Sequence, residues 1–159
     1  MKKAIVIMGV SGSGKSTIGK LLADETGGKF FDGDDFHSPE NVAKMTNGTS
    51  LTDEDRQEWL ATLAQLIADA EGLIVIACSA LKERYREILG EADFVFLKGE
   101  PALIKERLRT RENHYMPSSL LDSQFADLEI PQNAFTVEIL QSPEQLVSQI
   151  RAHFSLSFH

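Results

Sequence analysis

The chain has 159 residues, of which 42% are hydrophobic and 25% charged, and it carries a formal net charge of −8. That length and balance suit one domain with its own core and exclude an intrinsically disordered chain. The acidic excess excludes nucleic acid as the main partner, because that binding needs a basic face.

Met1-Lys2-Lys3 followed by Ala4–Met8 has the outline of a leader peptide, but the apolar run is too short for one and reads as a first strand. Thr17–Glu25 reads as a helix with Ile18, Leu21, Leu22 and Ala23 on its apolar face. Lys29-Phe30-Phe31-Asp32 is a short second strand, Pro39–Met45 a small helix and Asn47-Gly48 a turn. Thr52 and Asp55 form a capping pair that opens a long helix to Ala70, with Leu60, Leu63 and Ile67 inward. Leu73–Cys78 is a continuous apolar run, the mark of a strand buried on both faces. It holds the only cysteine, so no intramolecular disulfide can form, and the surroundings predict a buried structural thiol.

Leu81–Leu89 reads as a helix, Phe94–Leu97 as a fourth strand, and Pro101 as the start of a helix to about Arg111. Leu120, Leu121, Phe125 and Leu128 mark a further helix, and Phe135–Leu140 a fifth strand. Ser142-Pro143-Glu144-Gln145 is a capping box opening the last helix, with Leu146, Val147 and Ile150 inward. The alternation predicts an α/β fold, a five-stranded parallel sheet between helical layers, in a single domain over 1–159. No stretch is long and apolar enough to span a membrane, so a cytoplasmic protein without a membrane partner is expected.

Gly9-Val10-Ser11-Gly12-Ser13-Gly14-Lys15-Ser16, between the first strand and the first helix, matches the G-x-x-x-x-G-K-[ST] phosphate-binding loop. Glycines at 9, 12 and 14 let backbone N–H groups turn inward around a polyphosphate, and the helix from Thr17 directs its positive end at the same anion. Lys15 is expected to reach the β- and γ-phosphates of a nucleotide, with the Ser16 hydroxyl on a magnesium ion. No Asn-Lys-x-Asp run is present to read guanine, and neither the third nor the fourth strand ends in an acid, as an energy-transducing ATPase requires. The acids instead follow the second strand, as Asp32-Gly33-Asp34-Asp35. Beyond that strand's carboxyl end they should face the loop across one crevice, Asp32 toward the magnesium ion and Asp34 accepting from an acceptor hydroxyl. This is the pattern of a small-molecule kinase using ATP and Mg2+.

Phe30-Phe31-Asp32-Gly33-Asp34 has the F-x-D-x-D form of shikimate kinase, but the chain at large more closely resembles gluconate kinase. The resemblance is carried by Met8–Thr17, Asp32–His37, Asn41–Met45, Leu51–Arg56 with Trp59-Leu60, and Cys78–Lys82 with Tyr85-Arg86. Leu97-Lys98-Gly99, His114–Pro117, Ser123-Gln124-Phe125 and Leu128-Glu129 extend it nearly end to end. Glu58 departs from the family's usual proline before the tryptophan, at a position that starts or stiffens a helix turn. The resemblance implies phosphorylation of the 6-hydroxyl of D-gluconate by ATP, in a homodimer. A shikimate or nucleoside kinase, or a nucleotide-binding module without transfer activity, are the alternatives. Such a substrate needs a cationic clamp, for which His37, Lys44, Arg56, Lys82 and Arg86 are the candidates, Arg56 first because a guanidinium grips a carboxylate with two bonds. In kinases of this build a segment such as 112–129 closes over the nucleotide, and Arg107 and Arg111 before it are expected to bring positive charge to the phosphoryl group or to stack on adenine.

Overall fold

The computed structural model describes residues 3–109 and 118–158, so Arg111, the 114–117 motif and the first part of the expected lid lie outside the described residues. The five apolar runs form strands β1 (Lys3–Met8), β2 (Lys29–Asp32), β3 (Leu73–Ala77), β4 (Asp93–Lys98) and β5 (Phe135–Glu138). All neighbours pair in parallel, in the order β2-β3-β1-β4-β5. The helices are α1 (Lys15–Thr26), α2 (Pro39–Thr46), α3 (Asp53–Ala68), α4 (Glu83–Leu89), α5 (Pro101–Arg109), α6 (Ser118–Asp127) and α7 (Pro143–Phe154).

Side chains alternate across a strand, so β1 feeds two cores. Ile5 and Ile7 pack with Ile18 and Leu22 of α1, Ile104 of α5, and Val147 and Ile150 of α7. Ala4, Val6 and Met8 pack on the other face with Trp59, Leu60, Leu63 and Ile67 of α3 and Tyr85 and Leu89 of α4. Each large apolar side chain buried this way contributes roughly 1.5–3 kcal/mol. The result is the expected three-layer α/β arrangement, with the carboxyl ends of β1, β2 and β3 side by side.

Two boundaries differ from the sequence reading in ways that shape the site. Strand β3 stops at Ala77, and Cys78 sits in the outgoing loop, fully buried, with its thiol pushed up to about 12 by desolvation. Helix α4 begins at Glu83 rather than Leu81, because Leu81 O accepts from Glu129 N (2.8 Å) instead of from its own helix. Ala80 takes a positive φ of 44° to make that turn.

The capping box at α3 is present, with Thr52 Oγ1 accepting from Asp55 N and Asp55 accepting from Thr52 N. The same carboxylate binds Lys44 of α2 at 2.8 Å, and these contacts, Lys44 first, hold it down from 3.8 to about 2. A depressed carboxyl pKa adds stability above the unfolded value, which is lost as pH falls through the folded one. Asp55→Asn should therefore lower the melting temperature near neutral pH. The gap to wild type should close as pH drops from 3.8 toward 2. Thermal melts across that range check it.

Candidate active site

The phosphate loop follows β1 without slack. Gly9, at φ 150°, has Ser13 Oγ 2.8 Å and Leu97 O 3.0 Å from where a Cβ would stand, so only glycine lets the chain turn there. Ser13, 2% exposed, donates its hydroxyl to Val10 O (2.7 Å) and closes the loop on itself. Gly14 at φ 100° caps α1, leaving the first N–H groups of that helix directed into the crevice. Lys15 Nζ donates to Val10 O at 3.0 Å.

Asp32 pairs in register with Ala77, which sets the acidic turn beside the end of β3. Its Oδ2 accepts from Ser16 Oγ (3.1 Å) and its Oδ1 from Asp34 N (3.0 Å), capping the 3-10 turn Gly33–Phe36. A Cβ on Gly33 would stand 2.6 Å from Ala77 O, so the turn lies against the strand end only because residue 33 has no side chain. Trp59 Nε1 donates to Gly33 O (2.7 Å) from the far side and pins the turn to α3.

Two cavities meet at this turn. The first, about 110 Å³, is lined by the loop with Ser16, Thr17 and Asp32. The second, about 450 Å³, is lined by His37, Arg56, Trp59, Thr46, Thr49, Ser50, Ser123, Gln124 and Asp127 among others. Ser11, Lys15 and Asp34 belong to both. Arg56 lies in the second cavity with its Nη1 donating to Tyr85 Oη (2.9 Å) and 3.9 Å from Asp127 Oδ2. His37 stacks on Trp59 with ring centroids 4.1 Å apart, and burial lowers its pKa against the pull of Asp34.

The loop residues, Asp32, Asp34, His37 and Arg56 are thus brought together, while the other candidate cations are engaged elsewhere. Lys44 pairs with Asp55, and Lys82 lies 3.3 Å from Asp53, which also accepts from Tyr85 and pairs with Arg84. Arg86 is 5% exposed and ties α4 to Ala80 O (2.7 Å) and Glu129 O (2.9 Å), a structural role away from both cavities. Arg107 donates to Ile139 O (2.6 Å) from α5 and lines neither cavity. Several lining residues carry no motif of their own. Gln124 of α6 reaches the phosphate loop, its Oε1 accepting from Ser11 N (2.8 Å) and its Nε2 donating to Ser11 Oγ (3.1 Å). Ser123 beside it bonds Ser50 Oγ at 2.9 Å. Their only signal in the sequence is the Ser123-Gln124-Phe125 run; Asp127 and Thr49 have none.

A phosphate loop after β1, an acid pair at the end of β2 and a second cavity that opens from both at Ser11, Lys15 and Asp34 are the build of a small P-loop kinase. The family model for shikimate kinase matches residues 11–150. A gluconokinase from Arabidopsis thaliana is 42% identical over an alignment covering 93% of this chain and 90% of that protein. A solved gluconokinase from Sinorhizobium meliloti superposes with a TM-score of 0.90 at 41% identity, covering 97% of this chain and 92% of that one. A solved sugar kinase from Janibacter gives 0.91 at 46% identity, covering 98% and 96%. The chain belongs to the gluconokinase family, within the shikimate kinase group of P-loop kinases.

Trp59→Phe keeps the ring against His37 but removes the only N–H that Trp59 offers to Gly33 O. A buried carbonyl left without its donor costs about 1–3 kcal/mol. Chemical denaturation should register a loss in that range, and an unchanged midpoint would mean that the turn does not depend on α3.

Proposed function

We propose that the protein transfers the terminal phosphoryl group of ATP to the 6-hydroxyl of D-gluconate, giving 6-phospho-D-gluconate and ADP. The observation that carries the reading is the pair of cavities joined at Ser11, Lys15 and Asp34, one shaped by an anion-binding loop and one lined with hydroxyls and a guanidinium. The second suits a polyol with a carboxylate: Thr46, Thr49, Ser50 and Ser123 can meet hydroxyls, and Arg56 the carboxylate. The gluconokinase relatives support the same substrate.

Donor phosphates lie along the loop N–H groups at the start of α1, in the field of that helix. Ser16 Oγ and Asp32 Oδ2, 3.1 Å apart, offer the oxygen donors that Mg2+ favours, and would hold it beside the β- and γ-phosphates. A bound Mg2+ neutralises charge on the transferring group. Lys15, at the junction of the cavities, brings its ammonium to the equatorial oxygens. The new O–P bond forms at the acceptor oxygen as the bond to the β–γ bridging oxygen breaks, and the hydroxyl proton passes to Asp34. Segment 112–129 acts as the lid, and Gln124 on α6 already contacts the loop. The same reading includes a cytoplasmic location, the default expected from the apolar pattern of the sequence, and a homodimer, from the family resemblance.

The test is ADP formation with ATP, Mg2+ and a panel of acceptors. Turnover should depend on gluconate, and turnover of shikimate or a nucleoside without gluconate would overturn the reading. Asp34→Asn keeps size but removes the proton acceptor, and turnover should fall by about 10²–10⁴-fold with ATP binding unchanged. Arg56→Ala should raise the KM for gluconate about 10- to 100-fold, the loss of a charge-assisted contact of roughly 1.5–3 kcal/mol, and leave that for ATP unchanged.

A further inference from the structure

Asn41 is a buried polar side chain, 5% exposed, in the first turn of the short helix α2. Its amide nitrogen donates to Asp55 O at 2.7 Å, and a carbonyl can only accept, so the orientation of the amide is set by that bond. The same nitrogen lies 3.3 Å from His37 Nδ1. An NH2 group has no acceptor to offer, so Nδ1 must be the bare, accepting nitrogen of the ring, and in the neutral imidazole the proton is then on Nε2. Nε2 faces Asp34 Oδ1 at 3.9 Å, and the Asp34 side chain is 76% exposed, so nothing packed around it fixes its rotamer. The ring cannot tilt away, because it is stacked on Trp59 with 18° between the planes and its side chain is 3% exposed.

We propose that Asn41 is a positioning residue that holds His37 as the Nε2–H tautomer, so that the imidazole donates to Asp34 and steers that carboxylate toward the acceptor hydroxyl. Two consequences follow. His37 is not the proton acceptor, since the nitrogen facing the site already carries a proton. The Asp34 carboxylate, with one oxygen held by the ring, presents the other to the substrate. Asn41 itself lines neither cavity and reaches the site through His37, while its bond to Asp55 O anchors it to α3. The inference rests on the reading of Asp34 as the acceptor-side carboxylate.

Long-range proton–nitrogen correlation spectra of the labelled, full-length protein read the tautomer directly, without turnover. The His37 signals are those that vanish in His37→Gln. Wild type should show a protonated Nε2 and a bare Nδ1; a protonated Nδ1 overturns the inference and leaves the kinase reading standing. Kinetics supply the second arm. The Gln side chain can bring its NH2 to the Nε2 position, whereas Asn is too short and mimics Nδ1. His37→Gln should stay within about tenfold of wild-type kcat, while His37→Asn and Asn41→Asp should lose about 10²-fold, the scale of a misplaced reacting group, with the KM for ATP unchanged. Asn41→Asp offers an acceptor in the same shape and should also shift the proton to Nδ1. Equal losses in the two His37 variants, or near-normal turnover in His37→Asn, would overturn it. Should the wild type fail to phosphorylate gluconate, the kinase reading falls while the tautomer remains measurable.

Discussion

The carboxylate of Asp32 is the joint on which the active crevice depends. One oxygen accepts from Ser16 at the base of α1, the other from the backbone of Asp34, and the residue itself is in register with Ala77 on the neighbouring strand. The phosphate loop, the Ser16 hydroxyl and the Asp34 backbone are thereby referred to one point at the end of a buried sheet. Phosphoryl transfer is mostly positioning and electrostatics, and a displacement of about 1 Å can cost 10²-fold in rate. That sensitivity explains why so many constraints converge on a four-residue turn: Gly33 against Ala77 O from below and Trp59 against Gly33 O from the side.

A chain with a net charge of −8 that binds anionic ligands must separate its charges. It does so by pairing. Lys44 with Asp55, Lys82 and Arg84 with Asp53, and Arg86 with Glu83 neutralise one another around α2, α3 and α4. Within the joined cavities Lys15 and Arg56 provide the cationic side chains, supplemented by backbone N–H groups at the start of α1. Even there Arg56 is shared with Tyr85 and Asp127, which hold its guanidinium in place within the cavity. Preorganisation of this kind spares the reorganisation that a flexible surface cation would require.

Helix α6 belongs to both halves of the site. Gln124 touches the phosphate loop, and Asp127, one turn on, faces Arg56. Ser123 meets Ser50, between α2 and α3, across the cavity mouth. A single helix therefore contributes side chains to the phosphate loop and to the second cavity alike.

Local chemistry was enough to read the phosphate loop, the acid pair, both capping boxes and the five strands, because each depends on residues close together in the chain: glycines at fixed spacing, an oxygen three residues from an N–H, apolar runs of strand length. Residue chemistry put Arg56 first among His37, Lys44, Arg56, Lys82 and Arg86, but could not show where each side chain lies, since all five fall in segments near the acceptor side. Packing sets their surroundings apart: α4 starts two residues late because Leu81 O is taken by Glu129, and the same turn buries Arg86, whereas Arg56, on the first turn of α3, lines the second cavity. The partners of Ser11 on α6 and of Gly33 on α3 were likewise invisible, because Gln124 is 113 residues from Ser11 and Trp59 is 26 from Gly33. The sequence by itself determined which backbone would hold a polyphosphate. Only the tertiary structure decided which side chains face it, because that depends on where distant helices come to rest against the sheet.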